Sequence, residues 1–421
     1  MHFWRKKWLW IFISLLLSTD ATAALNYPID GYGLTGIRRL LRLALILEGE
    51  VKGTLPPAGA QKSINEITLQ LTGERGVQLA ALPPVDPVLQ SEIERLFPNR
   101  DESYSLALLE ISEDRPVRLA LRQADRQFPP GSVGKLAIAA GLFSELARLF
   151  PGDPELRREL LKSRMVTADK WIEYDSHEIP IFDPETNKFI SRPPKSGDTF
   201  SLYEWTDHML SASANAAASI VWKELILMRG FGPAYPPSYE QEKNYFDTTP
   251  KTEMRDLAAS IVNDPLRAIG IAQRDWQLGS FFTKAGQKIV PGAGGSFGTP
   301  TGLLQFLIAV ERGMVVDAWS SLEIKRLMYM TARRIRYASS PRLNNAAVYF
   351  KSGSQYSCKQ EEGFTCGKYM GNVENYMNSV AIVEHDDGRA YMVVLMSNVL
   401  RKNSAVEHQS LATFIDKILS N

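Results

Sequence analysis

Three short stretches of the 421-residue chain carry side chains whose types and spacing could do acyl-transfer chemistry. The first is Phe128-Pro-Pro-Gly-Ser-Val-Gly-Lys135, which runs into the apolar stretch Leu136 to Phe150. Ser132 and Lys135 stand three apart, so a helix beginning near Ser132 places both on one face of its first turn. Pro129, Pro130 and Gly131 do not readily continue a helix from upstream, which favours a start here. Ser132 then sits at the positive end of the helix dipole, where developing negative charge is favoured. The run Leu136 to Phe143 is apolar almost all round, so the helix is expected to be buried. Burial lowers a lysine pKa, and a neutral amine can take the proton of a serine hydroxyl. Ser132 is thus a candidate nucleophile and Lys135 its candidate base. Alone the pattern is weak, because a helix cap followed by a surface lysine looks the same.

The second stretch is Met209-Leu-Ser-Ala-Ser213-Ala-Asn215-Ala, flanked by small and apolar residues. A Ser-x-Asn on a loop between helices can project Ser213 and Asn215 into one cleft, the serine to relay a proton and the asparagine to bond an amine and a substrate amide. A polar helix–helix turn has the same composition. The third is Val348-Tyr-Phe-Lys351-Ser-Gly-Ser354. In a strand Lys351 and Gly353 share a face, and Gly353 lets another backbone or a ligand approach closely. Lys351 can bind a carboxylate, and the Ser354 N–H can donate to an oxyanion. An edge strand with a snorkelling lysine is the plainer reading.

The elements that must position these residues follow from pattern. Val88–Phe97 fits a helix, while Ser103–Ile111 and Val117–Leu121 fit two strands. Residues 151–335 read as mostly helical, with loops at 179–197 and 230–238. Strands are expected at 347–352, 377–384 and 391–397, the last two joined by the hairpin signal Asp386-Asp-Gly388, and a helix at 405–419 closes the chain. The expected fold is α+β: a five-stranded antiparallel sheet from both chain ends, flanked by helices, with an inserted all-helical subdomain. Residues 24–85 form an accessory segment or small domain, and 86–421 the catalytic domain. Within the first, 35–47 has helical periodicity bearing Arg38, Arg39 and Arg42, and 64–71 alternates like a strand. The arginine-bearing helix reads as a solvated face, with contact to anionic lipid or murein as the alternative.

Composition is that of a globular protein, 44% hydrophobic and 23% charged. A formal net charge of +1 gives no electrostatic case for nucleic acid. The five His do not cluster at ligand spacing and two Cys exclude a zinc ribbon or iron–sulfur cluster, so neither metal nor cofactor is expected. Arg5, Lys6 and Lys7, the apolar run Trp8–Leu17 and Ala21-Thr-Ala23 read as a signal peptide over residues 1–23 cleaved after Ala23. Cleavage removes three basic residues and Asp20, takes the formal charge to −1, and leaves no integral membrane span. Export to the periplasm or beyond is oxidising, and Cys358 and Cys366, flanking a polar loop, are expected to pair.

Taken together the motifs are more specific than any alone. Ser-x-x-Lys opens a buried helix after two strands, Ser213 follows 81 residues later, and Lys351 lies 136 residues after Asn215. Over 86–421 this order resembles the penicillin-recognising serine enzymes, the D,D-peptidases and serine β-lactamases. The final hairpin and helix, and Gly298-Thr-Pro-Thr-Gly-Leu-Leu, resemble the class A β-lactamase branch. The resemblance implies Ser132 as acylated nucleophile, Lys135 as proton acceptor, and Ser213 as donor to the leaving nitrogen. It further implies Asn215 on substrate and Lys135, Lys351 and Ser352 on the substrate carboxylate, and an oxyanion hole from the Ser132 and Ser354 N–H groups. The class A deacylating Glu, in a Glu-x-x-Leu-Asn context, has no full match. Glu240-Gln-Glu-Lys-Asn244 keeps the Glu and Asn, and Asp275-Trp-Gln-Leu-Gly279 keeps an acid and the Leu. Asp275 is preferred for its spacing and its nearness to Thr299. The expected function is an exported serine acyl-enzyme hydrolase of β-lactamase type, acting on β-lactams or D-Ala-D-Ala-like stem peptides through a Ser132 acyl-enzyme. The alternatives are a slowly deacylating penicillin-binding protein or sensor, and a small-ester hydrolase. Oligomeric state is not legible.

Overall fold

The computed structural model describes residues 29–173 and 175–420. The expected signal peptide and its cleavage site lie outside these residues. Strands β1 (Ser105–Glu110), β2 (Arg118–Arg122), β3 (Ala347–Ser357), β4 (Glu374–Glu384) and β5 (Ala390–Asn398) form one sheet in the order β2-β1-β5-β4-β3. Every neighbouring pair is antiparallel. The sheet therefore joins both ends of the chain, as the strand–helix–strand order implies.

Burial on both faces explains why the strands read as continuous apolar runs. Ala107 and Leu109 of β1 face one cluster with Leu136 and Leu303, while Leu106 and Leu108 face a second with Leu89, Ile93 and Leu411. The first cluster is made with helices α3 (Lys135–Leu149), α4 (Leu202–Leu210), α5 (Asn215–Phe231), α6 (Pro300–Glu311) and α7 (Ala318–Tyr329). The second is covered by Pro87–Glu94, labelled α2, and the C-terminal Ala405–Leu419, labelled α8.

The insertion is not all-helical. It also holds three two-stranded pairs: Met165–Thr167 with Thr199–Ser201, Ile179–Asp183 with Lys188–Arg192, and Trp276–Gln277 with Phe297–Gly298. The expected loop at 179–197 is largely the second of these. Its strands carry Ile179, Ile181 and Phe182 opposite Phe189 and Ile190, β-forming residues around a turn in which Asp183 accepts from the Glu185 N–H and the Thr186 hydroxyl.

Residues 29–85 lie along the main body and are tied to it by buried polar contacts. Helix α1 (Arg38–Leu47) presents Arg38 to Glu204 at 2.8 Å and Arg39 to Asp207 at 2.6 Å. Arg42 lies 4.0 Å from the Phe189 ring centroid, so all three arginines of the helix have partners within the protein, in place of the solvated-face and lipid-contact readings. The expected strand at 64–71 does not form. Ile64–Glu66 is a short 3-10 turn capped by Ser63, after which Leu71 N–H donates to the Glu311 carbonyl and Gln70 N–H to its carboxylate. Its apolar side chains Ile64, Ile67 and Leu71, three and four apart, are buried without strand pairing. Lys325, wholly buried, donates to the Thr68 carbonyl and pairs with Glu311 and Glu384. Arg75 reaches the Ile111 and Ser112 carbonyls at the end of β1.

Candidate active site

The segment bearing Ser132 begins with a 3-10 turn, Gly131–Gly134, and continues directly as α3 from Lys135. Gly131 has φ +51° and packs on the Ser354 backbone, where a Cβ would lie 2.8 Å from the Ser354 nitrogen. A Cβ on Gly353 would meet the Pro130 carbonyl at 2.1 Å. Both glycines therefore let the turn lie flat on the edge of β3. Asn378, the cross-strand partner of Gly353, donates its amide to the Pro129 and Pro130 carbonyls at 3.0 and 3.1 Å and holds the turn to the sheet.

The Lys135 amine donates to the Ser132 hydroxyl at 2.9 Å, to the Asn215 side-chain oxygen at 2.7 Å and to the Ser213 carbonyl at 2.6 Å. Lys135 is fully buried, and that desolvation lowers its pKa to about 7, against an opposing contribution from Asp175. Half of the lysine is then neutral near physiological pH, as a base for a serine hydroxyl requires. The Ser213 hydroxyl accepts from the Lys351 amine at 2.9 Å. Ser213 has φ +62°, a strained conformation for a non-glycine residue, and it turns carbonyl and hydroxyl toward two different lysines. The Lys351 pKa is well below the usual lysine range, first through burial and then through the charges of Lys135 and Arg336.

Ser132, Ser213, Asn215, Lys351, Ser352, Gly353 and Ser354 all line one cleft of about 1220 Å³. The structure therefore brings the three sequence motifs together between sheet and helices. It does not bring the two candidate deacylating acids there. Glu240 lies exposed in the first turn of the helix Tyr239–Thr248. Asp275 anchors the start of α6 through its carbonyl, which accepts from the Thr299 N–H at 2.8 Å, and its carboxylate lies 3.9 Å from Arg274. Neither lines the cleft, whose one carboxylate among the described residues is Glu178.

The Phe282 ring stands beside the Lys135 amine, its centroid 4.8 Å away. It is held there by its neighbours. Phe281 stacks on Trp222 at 4.2 Å, and the Thr283 hydroxyl donates to the Trp171 carbonyl and caps the following helix.

Several residues of the site were not singled out by sequence reasoning. Arg336, at φ +53°, donates to the Gly353 carbonyl at 2.6 Å and lies 5.0 Å from the Tyr369 ring. Tyr369 and Tyr356 reach the cleft from the two sides of the loop closed by the disulfide Cys358–Cys366, whose Cα atoms are 6.2 Å apart. Phe189 and Ser191 bring the 179–192 hairpin to the opposite wall. His177 also lines the cleft, bonded to Asp175. Positive φ at a non-glycine residue is invisible in sequence, and none of these residues belongs to a recurring motif.

No protein-family model and no curated protein matches the sequence. Solved structures do match. PBP-A superposes with a TM-score of 0.50 at 13% identity, covering 81% of this chain and 99% of its own. A mutant of PBP-A as its acyl-enzyme complex with penicillin G gives the same score at 14% identity, covering 80% of this chain and 99% of its own. A class A β-lactamase from Bacteroides cellulosilyticus DSM 14838 has a TM-score of 0.51 at 15% identity, over 79% of this chain and 99% of its own. The extended-spectrum β-lactamase TLA-3 reaches 0.52 at 14%, over 79% and 98%. The chain thus has the fold of the penicillin-recognising serine enzymes, the fold common to class A β-lactamases and PBP-A.

Proposed function

We propose that the protein is an exported serine acyl-enzyme former of penicillin-binding D,D-peptidase type, which is acylated by β-lactams and releases them slowly. The observation that carries this reading is the hydrogen-bonded series Ser132–Lys135–Asn215 and Ser213–Lys351 at the floor of one cleft. Neutral Lys135 takes the Ser132 proton as Oγ attacks the substrate carbonyl. The Ser132 and Ser354 N–H groups receive the oxyanion, and the Ser213 hydroxyl hands a proton to the leaving nitrogen and takes in its place the one Lys135 accepted, so that both return to their starting states. Lys351 and Ser352 receive the substrate carboxylate. Water then cleaves the ester, returning the hydrogen to Ser132 Oγ and releasing a carboxylic acid.

Slow release is supported by what surrounds the ester. The Phe282 ring packs on the Lys135 amine, Glu240 and Asp275 lie elsewhere, the Asp175 carboxylate is bonded at both oxygens to His177 and Ala216, and Glu178 accepts from the Ser191 hydroxyl on the hairpin. Without a positioned base, water attacks an ester slowly. Export agrees with the basic and apolar N-terminus and with the disulfide. Among the described residues no helix is long and apolar enough to cross a membrane.

Intact mass spectrometry over time with a fluorescent penicillin tests the reading. A +penicilloyl mass on Ser132 that persists for many minutes is the expected result. A transient adduct with rapid turnover indicates a β-lactamase, and no adduct removes the acyl-enzyme assignment.

A further inference from the structure

The loop before the 179–192 hairpin carries a carboxylate that the mechanism above does not use. Asp175 has a side chain only 2% exposed. Its Oδ2 accepts from the Ala216 N–H at 2.7 Å, and its Oδ1 accepts from the His177 N–H at 3.0 Å and contacts His177 Nδ1 at 2.7 Å. Ala216 is the second residue of α5, directly after Asn215, which bonds the Lys135 amine. The helix has no side-chain cap of its own at Ala214, so Asp175 meets one of its free N–H groups from another element.

A buried carboxylate is costly unless it is bonded and neutralised. Here both oxygens are bonded, and the Asp175 charge acts on Lys135 against the effect of burial. We propose, on the acyl-enzyme reading above, that Asp175 is a positioning residue for the base: it fixes Asn215 through α5 and supplies the negative charge beside Lys135, while His177 holds the carboxylate in that orientation. The half-exposed His177 ring lines the cleft, so substrate entering there meets the residue that holds Asp175. Asp175 has no part in bond making. It sets where and in which charge state the amine waits.

The groups facing the Lys135 amine come from four elements: Ser132 on its own turn, Ser213 and Asn215 at the start of α5, Phe282 from the loop beyond Trp276, and the Lys351 charge from β3. Asp175 faces only His177 and the α5 backbone among the groups bonded to it. Removing its negative charge therefore removes the charge that opposes the effect of burial on Lys135, and the amine gives up its proton at lower pH.

Two measurements on the full mature chain separate this proposal from the function it rests on. In the first, penicillin labelling rates are taken from pH 5 to 9 for the wild type, Asp175→Asn and Asp175→Glu. In Asp175→Asn the acid limb should move down by about one pH unit, and the plateau rate should fall about tenfold as Asn215 loosens. Asp175→Glu keeps the charge and should keep the midpoint while losing plateau rate. In the second, the Lys135 side chain is titrated by NMR with labelled lysine, assigned with Lys135→Met. Its midpoint should fall in Asp175→Asn whether or not penicillin reacts. An unchanged Lys135 midpoint in Asp175→Asn overturns the proposal even if labelling slows, since a purely structural role would slow labelling alone. Absence of labelling in the wild type with a shifted Lys135 midpoint would sink the acyl-enzyme reading and leave the charge assignment standing. Asp175→Ser replaces Asp175→Asn in both measurements should the latter not fold.

Discussion

The Lys351 amine lies 2.9 Å from the Ser213 hydroxyl, although one belongs to the edge strand of the sheet and the other to the loop between α4 and α5. This single contact closes the cleft floor between the two halves of the fold. It also pairs a lysine whose charged form is disfavoured by burial with the hydroxyl that the proposed mechanism uses to pass a proton. Ser213→Ala should leave Ser132 in place yet slow β-lactam acylation by about ten- to a hundredfold, measured as the second-order rate of penicillin labelling. Unaltered labelling in that variant would remove Ser213 from the proton path.

Ser132→Ala should abolish covalent labelling. Lys135→Ala should slow it on the order of a thousandfold or more, because the hydroxyl then has no neutral amine within hydrogen-bond distance. Circular dichroism of both variants separates this from loss of fold. The Lys135 variant should lose no thermal stability through charge, since a buried amine whose pKa is lowered disfavours its charged form in the folded state.

The pH dependence follows from the two lysines with opposite requirements. Lys135 must be neutral to act, and its pKa is lowered to about 7, so acylation should rise as pH climbs through about 7. Lys351 must be charged to attract a carboxylate, and its pKa is lowered well below the lysine range, so affinity for an anionic substrate should weaken toward alkaline pH. Rate against pH should be bell-shaped, with the alkaline limb below the ordinary lysine range. A rate that climbs monotonically to pH 10 would show that Lys351 carries no substrate charge.

Deacylation should be indifferent to both acids favoured by motif. Glu240→Ala and Asp275→Ala should change the lifetime of the penicilloyl adduct by less than about twofold, because neither lines the cleft. Phe282→Glu, placing a carboxylate at the position whose ring now stands 4.8 Å from the Lys135 amine, should shorten that lifetime by about tenfold or more. Adduct decay is read by mass spectrometry after removal of free penicillin.

The disulfide supports one wall of the cleft. Cys358→Ser with Cys366→Ser should cost about 2–3 kcal/mol in unfolding free energy, the chain-entropy value for a short loop. It should weaken substrate binding more than it slows the reaction of bound substrate, because Tyr369 and Lys368 follow the bridge and line the cleft while Ser132 does not depend on it.

What could be read in the sequence depended on distance along the chain. The helix following Ser132 was legible because Pro129 to Gly131 and an apolar run act locally, and the five strands because each has an apolar stretch buried against both clusters. Strand ends were less so: β3 runs on to Ser357, past the Ser352 at which apolar pattern stops, because pairing with β4 continues to Glu374. The hairpin at 179–192 was hidden by Pro180 and Pro184, which read as loop. Asp175 was illegible because its meaning lies in Ala216, 41 residues away. Asp275 misled because its spacing to Leu278 mimics a motif while its backbone, not its carboxylate, serves the structure.

Residues 29–85 have a consequence beyond packing. Arg39 grips α4, Gly59 bridges Tyr329 and Asn344, Gln70 and Leu71 bond Glu311, and Arg75 bonds the end of β1. One length of chain thus spans the helical insertion and the sheet, the two bodies between which the cleft lies. A crossing of that kind couples their melting. The helical insertion should not unfold ahead of the sheet, and calorimetry should record a single endotherm whose van't Hoff and calorimetric enthalpies agree. A cut by protease within 48–54, where most of the chain is exposed between its anchors, should split that endotherm in two.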